Sequence, residues 1–117
     1  MYIGEVAKKT GLSVKAIRFY EEKGLIRAPE RLGRYRVYTD AHVEVLRLIV
    51  EAKALGVSLA RIKGAIRYHN GEVDWQRVNH FLKDLKRDME AELQRIVGNI
   101  ERLDACVASI ATCPQGA

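Results

Sequence analysis

The chain has 117 residues, 48% hydrophobic and 30% charged, enough for one domain or a small domain with an appendage. No apolar run approaches the length needed to cross a bilayer, and no charged-then-apolar leader opens it. A cytoplasmic location with no membrane partner is therefore expected. The net charge of +5 is unevenly spread: residues 1–70 carry 14 Lys+Arg against 7 Asp+Glu, and residues 71–117 carry 6 against 8. A basic first part suits a polyanion, whose condensed counterions protein cations replace, and the mildly acidic remainder suits another task.

In chain order, Ile3–Lys9 has the pattern of a short helix, and Thr10-Gly11-Leu12 breaks it. Ser13 then reads as the N-cap of a second helix through Glu22, because its hydroxyl can accept a first-turn amide. Val14 and Ile17 share an inward face, while Lys15, Arg18 and Glu22 share another. Two short helices joined by a glycine turn, the second carrying exposed cations, outline a helix-turn-helix DNA reader. A plain helical hairpin with solvated lysines has the same outline. Gly24 is the expected stop of the second helix.

Residues 28–33 read as a loop. Arg34-Tyr35-Arg36-Val37-Tyr38 alternates as a strand does, and Leu25-Ile26-Arg27 could pair with it. Such a ribbon would show Arg34 and Arg36 on one side and Tyr35 on the other. Arg31, Arg34 and Arg36 beside a basic helix favour a phosphate clamp over an edge hairpin that merely discourages aggregation.

Thr39 is the expected N-cap of a third helix, with Asp40 in its first turn and Val43, Leu46, Ile49 and Val50 inward. Leu55-Gly56 stops it. Ser58 caps a fourth, with Leu59, Ile62, Ala65 and Ile66 inward and Arg61, Lys63 and Arg67 outward. Arg61 lies near enough to the helix start to reach a phosphate. Asn70-Gly71-Glu72-Val73 reads as a turn and as the boundary between a first domain, 1–70, and a second, 71–117.

From about Asp74 to about Ala111 no proline interrupts. Apolar residues recur at Val78, Leu82, Leu85, Met89, Leu93, Ile96, Ile100, Leu103, Val107 and Ile110, a heptad seam with one irregular step at Met89–Leu93. A helix of roughly 55 Å needs a partner helix, and a second copy is the simplest, giving a twofold homodimer. Leu82 to Val107 along that seam are the expected dimer contacts. Gly98 weakens such a helix, and close approach of a second backbone is one reason for it.

The motifs Ile3-Gly4-Glu5-Val6-Ala7, Gly11-Leu12-Ser13, Ile17-Arg18-Phe19-Tyr20-Glu21, Lys23-Gly24-Leu25 and Arg34-Tyr35-Arg36-Val37-Tyr38-Thr39 closely resemble the MerR family of bacterial transcription regulators. So do Leu55-Gly56-Val57-Ser58-Leu59 and the long helix after it. The resemblance covers essentially the whole chain. It implies a mostly α fold: a winged helix-turn-helix domain followed by an antiparallel coiled-coil dimerisation helix. It also implies a homodimer on double-stranded promoter DNA with an overlong spacer. Effector binding would bend and untwist that DNA for RNA polymerase, at an elastic cost offset by phosphate contacts. Carried onto this chain, Lys15, Arg18 and Tyr20 belong to the recognition helix, and Arg34, Tyr35 and Arg36 to the wing. With Ser13, Arg31 and Arg61, these are the expected DNA contacts.

Short relatives, by the same resemblance, sense metal ions or oxidants through cysteines. The candidate effector residues are Cys106, Cys113, Asp74 and His80, which would take a zinc-like or other thiophilic divalent ion. Two cysteines alone cannot complete a tetrahedral site, and both are alternatively inert thiols. An effector-independent DNA-bending or excisionase-like protein is the competing reading. An enzyme is not expected, since no nucleophile–base–orienter set, phosphate loop or open metal site is visible.

Overall fold

The computed structural model describes residues 1–112. It divides into two compact units, Met1–Val78 and the remainder from Asn79. The first contains α1 (Ile3–Thr10), α2 (Val14–Glu22), β1 (Glu30–Leu32), β2 (Tyr35–Val37), α3 (Asp40–Ala54), α4 (Leu59–Ala65), β3 (Tyr68–His69), β4 (Glu72–Val73) and the start of α5 (Trp75–Thr112).

The turn between α1 and α2 is closed by local bonds. Gly11 takes φ +75, and its N–H donates to the Ala7 carbonyl at 2.9 Å. Thr10, the buried last residue of α1, donates its hydroxyl to the Val6 carbonyl at 2.8 Å and accepts from the Leu12 N–H at 3.3 Å. Ser13 caps α2 as expected, its Oγ accepting the Ala16 N–H at 3.0 Å. At the other end Gly24 is left-handed, and the Leu25 N–H reaches back to the Tyr20 carbonyl at 3.0 Å, the bond that terminates a helix through an αL residue. Val6, Ile17, Leu46, Ile49 and Ile62 are buried together as the core of this unit, with Val43, Val45 and Ala52 of α3. Val50, expected inward, is only half-buried.

The wing differs from the sequence reading. The partner of Tyr35–Val37 is Glu30–Leu32, in the register Glu30↔Val37, Arg31↔Arg36, Leu32↔Tyr35. Gly33 at φ +65 permits a two-residue turn, so the nearest residues fold back and the expected loop is itself a strand. Leu25 and Ile26 are fully buried instead: their apolar surface is worth more inside the core than on an exposed ribbon edge. Arg34 consequently lies in the turn rather than on one strand face with Arg36.

A second, unexpected hairpin follows α4. Tyr68 pairs with Val73 and His69 with Glu72 around Asn70 (φ 51) and Gly71 (φ 86). Two successive positive φ angles make the turn type that matches strand twist, and Asn-Gly is its preferred dipeptide. Segment Leu25–Arg27 is tied down from three sides. The Tyr68 hydroxyl donates to the Leu25 carbonyl at 3.2 Å. The Arg27 guanidinium donates to the Gly71 carbonyl. The Arg27 carbonyl meets His42 Nε2 at 3.1 Å. His42 Nδ1 accepts the Thr39 N–H at 3.0 Å, which leaves the ring proton on Nε2. Burial holds the His42 pKa below its usual value, against a smaller opposing effect of its bond to Arg27.

Helix α5 opens on Asp74, whose carboxylate accepts the Arg77 N–H at 3.1 Å. In the second unit it is one uninterrupted helix to Thr112. Its seam residues Leu93, Ile96, Ile100, Leu103, Val107 and Ile110 are 44–73% exposed. Gly98 lies two positions from both Ile96 and Ile100, on the side away from the seam, and a Cβ there meets nothing within 4 Å. Among the described residues no helix is long and apolar enough to cross a membrane.

Candidate nucleic-acid interface

Ile17 is fully buried, which anchors α2 and turns Lys15 and Arg18 to solvent on its outer side. The hairpin β1–β2 meets this surface. Arg18, Arg34 and Arg36 line one cleft of about 100 Å³ with Tyr2, Ile3 and Tyr35. The Tyr2 and Tyr35 rings are tilted against each other at 5.7 Å. The backbone of Tyr38 supports this end of the wing: its N–H donates to the Met1 carbonyl at 2.7 Å, and the Met1 amine donates to the Tyr38 carbonyl at 2.8 Å.

The arginines are not equivalent. Arg18, Arg31 and Arg34 are exposed and are outside the ion pairs found among the described residues. Arg36 is 29% exposed and its Nε lies 3.2 Å from Oε1 of Glu21, itself 15% exposed. The same oxygen accepts the Tyr38 hydroxyl at 3.5 Å, the outer limit of a hydrogen bond. Burial raises the Tyr38 pKa, and the Glu21 carboxylate adds to the shift. Guanidinium groups aimed at solvent from two elements can each take a phosphate oxygen, and Tyr2 and Tyr35 add flat surface beside them.

Other expected DNA contacts lie elsewhere in the same unit. Ser13 is exposed, with Oγ engaged in its cap. Tyr20 is half-buried, its ring 5.8 Å from that of Phe19. Arg61 is exposed near the start of α4, its N–H donating to Ser58 Oγ at 3.3 Å, and it does not line the arginine cleft. The sequence reading missed Tyr2, which is 33 residues from Tyr35 and carried no local signal, and Phe19, exposed beneath the Lys23 ammonium at 5.5 Å from its ring centre.

A larger cavity of about 430 Å³ lies between Arg27, His42, Tyr68, Val73 and Trp75. Arg27, His42 and Tyr68 in its lining are hydrogen-bonded to backbone groups, and Glu30 and Glu72 also line it.

Among the described residues the effector candidates are not brought together. Asp74 caps α5, while His80 and Cys106 are exposed on that helix, about 39 Å apart by its rise. Cys113 lies outside the described residues. Among the described residues no group of three or more His, Cys, Asp or Glu could hold a metal ion. The described donors of one chain therefore do not fit an ion.

Against known proteins, the profile of the family described as "MerR HTH family regulatory protein" matches residues 1–69. The HTH-type transcriptional regulator CueR of Salmonella typhi is 37% identical over 116 residues, 97% of this chain and 82% of that protein. A ZntR homolog of Haemophilus influenzae is 30% identical over 104 residues, 88% of this chain and 73% of that protein. Among solved structures, the N-terminus of MtaN, the Bacillus subtilis multidrug transporter activator, is similar with TM-score 0.63 and 26% identity, covering 92% of this chain and 97% of that one. PbrR691 of Ralstonia metallidurans CH34, solved in complex with lead(II), has TM-score 0.54 and 23% identity, covering 100% and 91%, and supports the fold alone.

Proposed function

The chain belongs to the MerR family of helix-turn-helix regulatory proteins and is a DNA-binding transcription regulator, not an enzyme; from that premise we propose that it works as a homodimer. Two copies would pair through α5, and each would present α2 and the β1–β2 wing to one half of a near-palindromic site. Effector binding would reset the distance and tilt between the two heads, and the bound promoter would bend and untwist for RNA polymerase.

The observation that carries this reading is the apolar seam of α5. Six large apolar residues spaced three and four apart are 44–73% exposed in the single chain, and a stripe of that length is unfavourable in water. Charge supports an antiparallel pairing. Residues 77–87 carry four cations and one anion, and residues 88–104 carry five anions and two cations. Laid antiparallel, a +3 segment faces a −3 segment, and laid parallel, like faces like.

The arginine cleft supports phosphate contact by Arg18, Arg34 and Arg31, with Lys15 entering the major groove. The proposed effector is a metal ion or an oxidant. One of the structural relatives holds lead(II), and Cys106 is an exposed thiol. His80 and Cys106 of one chain are far apart on α5, which favours a site to which a second copy contributes.

Selection of duplexes from a random library with the full chain tests the DNA-binding part, followed by mass measurement of the complex. The expected result is an enriched inverted repeat carrying two copies of the chain. One copy per duplex, or no enrichment, overturns the dimeric reader. Native mass spectrometry of the reduced protein with zinc, copper and cadmium tests the effector. A dimer that takes up none of them removes the metal reading and leaves the oxidant.

A further inference from the structure

We propose that Glu21 is a positioning residue that locks the wing to the recognition helix and withdraws Arg36 from the set of phosphate-binding cations. This inference rests on the DNA-binding reading above. Glu21 sits in the last turn of α2, with its carboxylate largely covered. One oxygen meets Arg36 on β2 at 3.2 Å and Tyr38 just past β2 at 3.5 Å. A single acidic side chain thereby holds two residues of the wing against the helix that carries Lys15 and Arg18.

Two features make this acid informative. On the hairpin ladder Arg36 stands directly opposite Arg31, and like charges so placed destabilise a strand pair. Turning Arg36 to Glu21 relieves that repulsion and leaves Arg31 directed to solvent. Second, a carboxylate beside a surface that binds a polyanion weakens binding by simple electrostatics. Its place in the arginine cluster follows if its task is geometric. The wing arginines then divide by role: Arg31 and Arg34 meet phosphate, and Arg36 is a strut.

The division gives an experiment whose sign decides it. Wild type, Glu21→Gln, Arg36→Ala, the double variant and Arg34→Ala, each as the full chain, are titrated with the library-enriched duplex at several salt concentrations. Removal of a negative charge is expected to weaken binding, by about tenfold for Glu21→Gln, because the wing loses its register. Arg36→Ala is expected to cost less than about twofold more in the Glu21→Gln background, since coupled residues are not additive. The slope of log affinity against log salt should fall for Arg34→Ala, by roughly one per subunit, and stay unchanged for Arg36→Ala.

Binding by Glu21→Gln that equals or exceeds wild type overturns the inference, as does a slope loss for Arg36→Ala matching that for Arg34→Ala. If Glu21→Gln is unfolded at the assay temperature, Glu21→Asp replaces it. That variant keeps the charge but loses the reach, so weakened binding supports positioning and wild-type binding refutes it. A wild type that binds no duplex defeats the DNA-binding reading itself, a distinct outcome.

Discussion

The first 78 residues and the helix beyond them solve opposite problems. The head closes its own core: Val6, Ile17, Leu46, Ile49 and Ile62 are all essentially sealed from water. Its turns are fixed by local bonds, as at Thr10, Ser13 and His42. From Leu93 to Ile110 the long helix instead leaves its large apolar side chains at least 40% exposed. A chain with one self-sufficient part and one dependent part has its copy number set by the dependent part. In the proposed dimer, how the two heads meet DNA depends on the helix.

Perturbing each region should therefore give a different kind of failure. The largest effect is expected from Ile100→Asp with Leu103→Asp, which places four carboxylates in the paired seam. Dimer affinity should fall on the order of a thousandfold, about 4 kcal/mol, by sedimentation, while the thermal transition of the head stays in place. Loss of the head's transition as well would mean that the two parts are not independent. Next is Ile17→Ala, which should cost about 3 kcal/mol of head stability in denaturant titration by leaving a cavity, with the helix's own association intact.

A smaller, pH-dependent effect belongs to His42. Its folded pKa lies below the ordinary 6.5, so the unfolded state takes up the proton more readily. The stabilisation is complete above the ordinary value and is lost as pH falls from there through the depressed folded one. His42→Gln should lower stability by about 1 kcal/mol at neutral pH and flatten the pH profile below it. A variant profile parallel to wild type would assign the acid sensitivity elsewhere. The smallest change tests the seam's geometry: Gly98→Ala, on the outer face, should raise helix stability by up to about 1 kcal/mol. A loss of dimer affinity there would place a second backbone against Gly98.

The legible parts of the chain were those that neighbours decide. Ser13 at its cap, Gly24 at its stop and the three-and-four spacing from Val78 to Ile110 each act within a turn or two, so residue type and spacing suffice. The wing shows where that fails. Arg34–Tyr38 alternated correctly, yet two segments were available to pair with it. Burial of Leu25 and Ile26 against the core decided between them. The Asn70-Gly71 hairpin had a usable signal, the preferred dipeptide for its turn, in flanking strands only two residues long. Of the candidate site, the cations were readable as a charge excess, but their division into exposed donors and one ion-paired strut was not.

By itself the sequence determined that a basic helical head is followed by a helix in need of a partner, because local backbone preferences and hydrophobic periodicity are written in adjacent residues. Only the tertiary structure decided that Glu21 faces Arg36, that Arg27 reaches the Gly71 carbonyl 44 residues away, and that Tyr2 joins the wing. Each of these contacts selects one partner from many of the same chemical type, and packing of the buried core around it makes that selection.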